Sequence, residues 1–266
     1  MPHLTRRTLL AGIAASAVCA PAPSFAAALR AVSFPWAPWN VGKAGETAVE
    51  GVAARLARQV FLRAGLSVGM TLQPWPRCHA EAKSGAADLI WCITLTPERE
   101  TYLAYSRPLW LSSNLVFRRR EAAPWSGWGA LAGKTLGMVR GYNYGLDRET
   151  LRRQGTRFEL VSGDDALIQM LASRRIDAFV MDWQVYCLHA RILSPSVAAA
   201  EPSGLAVADL SYHIAASKRS PAGRAALPAI DRAIAEMHDD GSLAAAIARG
   251  IDPMEPPGAP PTRAAF

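Results

Sequence analysis

The stretch "GAADLIWCITLTPERETYLAYS", residues 85–106, decides the fold. Ala87 to Leu95 is almost wholly apolar and does not alternate, the pattern of a strand covered on both faces. Thr94, Thr96, Pro97, Glu98 and Arg99 then crowd its end. Two readings fit. Strand ends are ordinarily polar, and Arg99 can be a helix-start residue paired with Glu98 or Glu100. Alternatively the strand carries a ligand site at its carboxyl end, where open α/β sheets bind.

The surrounding sequence alternates strands and helices. "LRAVSF" (29–34) reads as a strand leaving into the Pro/Trp loop "PWAPWN". From Thr47 to Ala64, Val49, Val52, Ala53, Leu56, Val60 and Ala64 recur at helical spacing before Gly65. "LSVGMTLQ" (66–73) alternates as a strand, and Pro76 to Ser84 reads as a short helix. The pattern restarts with strands at 111–120, 134–141 and 157–163, and a helix over 146–154. Ser162 or Asp164 is placed to cap a helix bearing Leu167, Met170 and Leu171. "RIDAFVMDW" (175–183) is a second buried strand, this one ending in Asp182. A strand over 209–217 and a helical tail from Pro221 to Gly250 follow. Strands alternating with helices predict an α/β fold with parallel sheets and helical crossovers. Two such units face to face would set Arg99 opposite Asp182. A guanidinium fork fits a carboxylate and a carboxylate suits an ammonium, so the pair describes a receptor for a zwitterion. Asp182 can equally cap the helix that follows it.

At the N-terminus, Arg6 and Arg7 precede an apolar run from Leu9 to Cys19 and the small residues Ala26–Ala28. That is an export signal over residues 1–27, too short to span a bilayer, by a general or a twin-arginine route. Losing Arg6 and Arg7 takes the formal charge from +7 to +5. The basic clusters at 117–123 and 151–157 lack interleaved aromatics, which argues against nucleic acid. Three cysteines remain, with no C-x-x-C pair; a Cys78–Cys92 bridge is open, and no metal or organic cofactor is implied. "GALAGKT" has one residue too few between its glycines for a phosphate loop.

Four segments in order carry a resemblance: residues 45–65, residues 74–106, "LAGKTLGMVRG" (131–141) and "FELVSGDDALIQMLASRRIDAFVMDW" (158–183). Together they resemble family 3 of the bacterial extracellular solute-binding proteins, the periplasmic receptors of polar-amino-acid ABC importers. The resemblance implies a two-lobed type II periplasmic-binding-protein fold, each lobe a mostly parallel sheet flanked by helices, joined by two hinge strands. Lobe 1 would be 28–114 plus 215–250, lobe 2 would be 119–210, and 251–266 a disordered Pro-rich tail. The strands near Asn114–Arg118 and Tyr212–Ala216 would cross between lobes. By motif position Arg99 would bind a carboxylate, Asp182 an ammonium, and Thr94 and Cys92 would meet the ligand. Trp36 or Trp39 would supply an aromatic wall, with Trp75 the most structural of the three. Tyr142, Asn143 and Tyr144 follow Gly141 where the family often has hydroxyl residues, Cys92 replaces a small hydroxyl residue, and an acidic helix residue near Gly51 is missing. These departures loosen the tie to a standard amino acid. The expectation is a monomeric periplasmic receptor for a small zwitterionic or anionic solute, serving a membrane permease and performing no catalysis. The rival readings are a cyclohexadienyl dehydratase-like enzyme using Glu98 or Asp182, and a non-transport sensor or accessory protein.

Overall fold

The computed structural model describes residues 28–123, 125–192, 200–251 and 263–264; the expected export signal and most of the expected Pro-rich tail lie outside the described residues. The first elements are β1 (Leu29–Ser33), α1 (Val52–Arg63), β2 (Val68–Leu72), α2 (Trp75–Ser84), β3 (Leu89–Thr94), α3 (Pro97–Glu100) and β4 (Leu103–Arg119). After a 3-10 turn (Trp128–Leu131) come β5 (Thr135–Val139), α4 (Arg148–Arg153), β6 (Arg157–Val161), α5 (Asp164–Ala172), β7 (Ala178–Asp182), α6 (Trp183–Ile192) and β8 (Ala200–Ser217). The chain continues through α7 (Pro221–Asp239), α8 (Ser242–Ile251) and β9 (Arg263–Ala264).

The strands lie in the order β2-β1-β3-β8-β4-β7-β5-β6, with β9 beside β4. β1 pairs in parallel with β2 and β3, and β5 in parallel with β6 and β7. Between these two groups β4 and β8 form an antiparallel ribbon, from Leu103 opposite Ser217 to Arg119 opposite Ala200. Tyr212 to Ala216 of β8 dock on β3, and Asn114 to Arg118 of β4 dock on β7. The two parallel groups are therefore the sheets of two lobes, held together by a pair of crossing strands.

Those crossing strands are 17 and 18 residues long, far longer than their sequence pattern implies. Pro108 hides the continuity of β4. It sits at a register shift between Tyr105 and Trp110, where the ladder tolerates a missing N–H donor. Within β7, Phe179 and Met181 belong to one core cluster with Leu167, Ile168 and Leu171 of α5. Ala178 and Val180 belong to a second, with Leu131, Leu136 and Leu151. Both faces of the strand are thus buried, which explains its unbroken apolar sequence.

Helix α1 begins five residues later than its periodicity predicts because Gly51, at φ 103, breaks the chain direction. A Cβ at Gly51 would lie 2.5 Å from the Trp39 carbonyl oxygen. We expect Gly51→Ala to destabilise the protein by more than about 1 kcal/mol, because the backbone conformation and the contact both oppose it. Calorimetry should register a fall of several degrees in Tm. Two further expectations are corrected. Gly163, which offers no side-chain bond, is the N-cap of α5, and Asp164 opens its first turn. The tail helix is split at Gly241, φ 73, which separates α7 from α8. Cys78 and Cys92 are buried free thiols, so the bridge between them does not form.

Candidate ligand site

The carboxyl ends of β1, β3 and β5 converge on a cleft between the lobes. β1 runs into the loop bearing Trp36 and Trp39, which Asn40 anchors. The Asn40 amide donates to Ser33 Oγ at 3.1 Å, and its carbonyl accepts from Trp91 Nε1 at 2.8 Å. Trp36 and Asn40 also exchange backbone bonds of 2.9 and 2.8 Å. This buried network fixes the loop on the sheet.

β3 reaches the cleft through a bulge. Its pairing with β8 shifts register between Trp91 and Ile93, and Cys92 adopts φ 59. A non-glycine residue in the left-handed region is uncommon, and bulges of this kind re-aim side chains beside sites. Thr96 then caps α3, its hydroxyl accepting from the Arg99 N–H at 3.2 Å. The short helix turns the Arg99 side chain back toward the strand end. Its guanidinium donates to the Thr94 carbonyl at 2.9 Å, to Thr94 Oγ1 at 2.7 Å and to the Gly141 carbonyl at 3.2 Å.

Arg99 is 6% exposed and lies 5.3 Å from the Trp75 ring centroid. Among the described residues it has no ion-pair partner: Glu98 faces solvent and approaches Lys83 at 3.6 Å. Burial lowers the Arg99 pKa, with Tyr105, Tyr102, Tyr212 and Glu98 acting in the opposite direction. The cation is thus held by carbonyls and an aromatic face, without a compensating charge.

The second lobe closes on this arginine through the loop after β5. The Gly141 carbonyl accepts from Trp75 Nε1 at 3.1 Å as well as from Arg99. Asn143 Nδ2 donates to Thr94 Oγ1 at 3.2 Å, and Tyr144 Oη accepts the Val139 N–H at 3.1 Å. Tyr142 packs against Phe34 and Trp36, with ring centroids 5.5 and 5.9 Å apart. The space left is a cavity of about 30 Å³, lined by Trp36, Cys92, Thr94, Arg99, Tyr142 and Asn143 together with Phe34, Trp75, Asn114, Tyr144 and Tyr212. That holds about two water molecules, far below the roughly 300 Å³ of a small-ligand pocket.

Six of the eight residues singled out in the sequence therefore meet in one cavity. Trp39 and Asp182 stand behind it. Trp39 is fully buried, stacked on Trp110 at 5.1 Å. Asp182 is 2% exposed and caps α6, its Oδ1 accepting from the N–H groups of Gln184 at 2.9 Å and Val185 at 3.2 Å. The same oxygen accepts from Trp39 Nε1 at 3.1 Å, and Oδ2 accepts from Ser112 Oγ at 2.5 Å. Burial pushes the Asp182 pKa up, while the bonds from Ser112, Val185, Trp39 and Gln184 pull it down. Trp75, assigned a structural part from sequence, is instead a wall of the cavity. Phe34, Asn114, Tyr144 and Tyr212 were not singled out as ligand contacts, because nothing local in a strand end or a crossing strand marks them.

A second carboxylate, Asp164 at the start of α5, faces an outer groove shared with Trp36, Tyr142 and His189. Burial, then the charges of Asp182 and Asp165, raise its pKa from 3.8 to about 7. A carboxyl raised in this way is protonated more readily folded than unfolded. Its contribution to stability is therefore fullest below about pH 4 and is lost as the pH rises through about 7. We expect Asp164→Asn to flatten that decline, measured as Tm across this pH range. Among the described residues no group of three or more His, Cys, Asp or Glu side chains is placed to hold a metal ion.

The family profile described as bacterial extracellular solute-binding proteins, family 3, matches residues 31–249. No curated protein matches in sequence. Similar solved structures include a histidine kinase sensor domain with similarity to periplasmic binding proteins, at 20% identity and a TM-score of 0.71, covering 84% of this chain and 95% of that one. An ancestral arginine-binding protein bound to arginine matches at 19% identity and a TM-score of 0.69, covering 84% and 97%. The GluR0 ligand-binding core from Nostoc punctiforme in complex with L-glutamate matches at 19% and 0.69, covering 85% and 100%. At these identities the likeness is one of fold.

Proposed function

This chain belongs to family 3 of the bacterial extracellular solute-binding proteins, and from that footing we propose that it is a periplasmic receptor that captures a small carboxylate-bearing solute between its lobes. One observation carries the reading: a buried guanidinium faces the interlobe cavity without a counter-charge among the described residues. Buried cations are ordinarily paired, so an arginine held only by neutral groups is suited to an anionic ligand. Bound between the lobes, such a ligand replaces the Gly141 carbonyl on Arg99 and favours the closed state by its differential affinity.

Glutamate and arginine in the structural relatives support an amino-acid-like ligand as the starting class. Delivery to an inner-membrane ABC permease is the role this family membership favours, with the protein acting as a monomer. No helix among the described residues is long and apolar enough to cross a membrane. Within this reading Glu98 and Asp182 have no catalytic part, since one faces solvent and the other caps α6. A signalling role is the second reading, favoured by the likeness to a sensor domain and by a cleft already filled by its own side chains.

A thermal-shift screen over amino acids, organic acids, amines and sugars tests the receptor reading. A solute at about 100 times its Kd stabilises the native state by about 2.7 kcal/mol. For a chain of this size the expected rise in Tm is on the order of 5 to 11 °C. Silence from every solute would remove the receptor reading.

A further inference from the structure

We propose that the cleft is built for an organic acid anion with a carboxylate and an apolar body but no ammonium group. The inference deepens the receptor reading and rests on it.

Charge is the first argument. Among the described residues lining the cavity, Arg99 is the one charged group. A carboxylate answers it. A zwitterion would bring an ammonium into the same closed space, and an unpaired buried charge is strongly disfavoured.

Hydrogen-bonding capacity is the second argument. Asn114 is 3% exposed, and its Nδ2 is a buried donor without a partner among the described residues. Thr94 receives Arg99 on both its oxygens, Gly141 receives Arg99 and Trp75, and Asn143 Oδ1 receives the Gly145 N–H at 3.0 Å. Asn114 therefore offers spare donation, which suits carboxylate oxygens.

Asp182, the position to which the resemblance gives the ammonium, is already occupied. Its Oδ1 already accepts three N–H groups, and its Oδ2 accepts the Ser112 hydroxyl. One of those donors is the indole of Trp39, fully buried and stacked on Trp110. The N–H that a ligand would present is supplied from within the chain. Asp164 is no substitute, since it faces the outer groove behind Trp36 and Tyr142. The remaining walls are rings: Phe34, Trp36, Tyr142 and Tyr212 present apolar surface suited to a flat or branched hydrocarbon body.

Titration calorimetry on the intact protein separates the alternatives, using each standard amino acid against its deaminated acid: hydrocinnamate against phenylalanine, isocaproate against leucine, glutarate against glutamate. The expected result is an acid with an apolar body that binds at least tenfold tighter than its amino-acid counterpart. An amino acid that binds as tightly as its deaminated partner overturns the inference and leaves the receptor reading standing. Binding of an amine or sugar with no response to any carboxylate overturns the inference and the carboxylate-receptor reading together. Silence from all of them overturns both.

Discussion

Arg99→Ala is expected to weaken binding of a carboxylate ligand at least about thirtyfold while leaving the protein folded. Truncating one partner of a buried, hydrogen-bonded charge pair costs about 2 to 5 kcal/mol, much of it the isolation of the other charge, and each 1.4 kcal/mol is about tenfold in Kd. The ligand-free protein should tolerate the change. The variant loses bonds to Thr94 and Gly141, but it also loses a buried cation that has no counter-charge among the described residues. Arg99→Lys should recover only part of the affinity, since a single ammonium cannot reproduce the fork that spans Thr94 and Gly141. Titration calorimetry measures the affinity, and far-UV circular dichroism checks the fold. An unchanged Kd in Arg99→Ala would place the ligand elsewhere.

Asp182→Ala is expected to act on stability instead. Three losses coincide: the cap of α6, and the acceptors for Trp39 Nε1 and Ser112 Oγ. An N-cap contributes roughly 0.5 to 2 kcal/mol, and an orphaned buried donor costs roughly 1 to 3 kcal/mol. A loss of about 3 kcal/mol or more corresponds to a fall in Tm of roughly 6 to 12 °C. Asp182→Asn, which keeps a capping oxygen, should lose less. Calorimetry of the ligand-free variants decides the matter. If Tm is unchanged and only binding is lost, Asp182 is a ligand group and not a structural one.

These two residues show how far the sequence could be read. The apolar runs ending in Arg99 and Asp182 were legible because strands buried on both faces leave an unmistakable pattern, and strand ends are where α/β sheets bind ligands. Their different fates were not legible. Arg99 enters the cleft because Thr96 caps a one-turn helix that turns it back. Asp182 is drawn away because Trp39, 143 residues earlier, reaches it from the other lobe. A contact of that separation leaves no local trace. The same holds for the bulge at Cys92 and for Tyr212, which meets the cavity only because β8 lies between β3 and β4. Trp75 and Trp39 exchanged their expected parts for a similar reason: Trp75, opening α2, lines the cavity, while Trp39 is buried behind it against Trp110.

The measurement that tests the central claim most directly is a crystal structure of the protein with its tightest-binding carboxylate. The expected structure has the carboxylate on the Arg99 guanidinium, with the Gly141 carbonyl displaced from it and Asp182 still bound to Trp39 and Ser112. A ligand seated away from Arg99, or one whose binding leaves the Arg99–Gly141 bond intact, would contradict it.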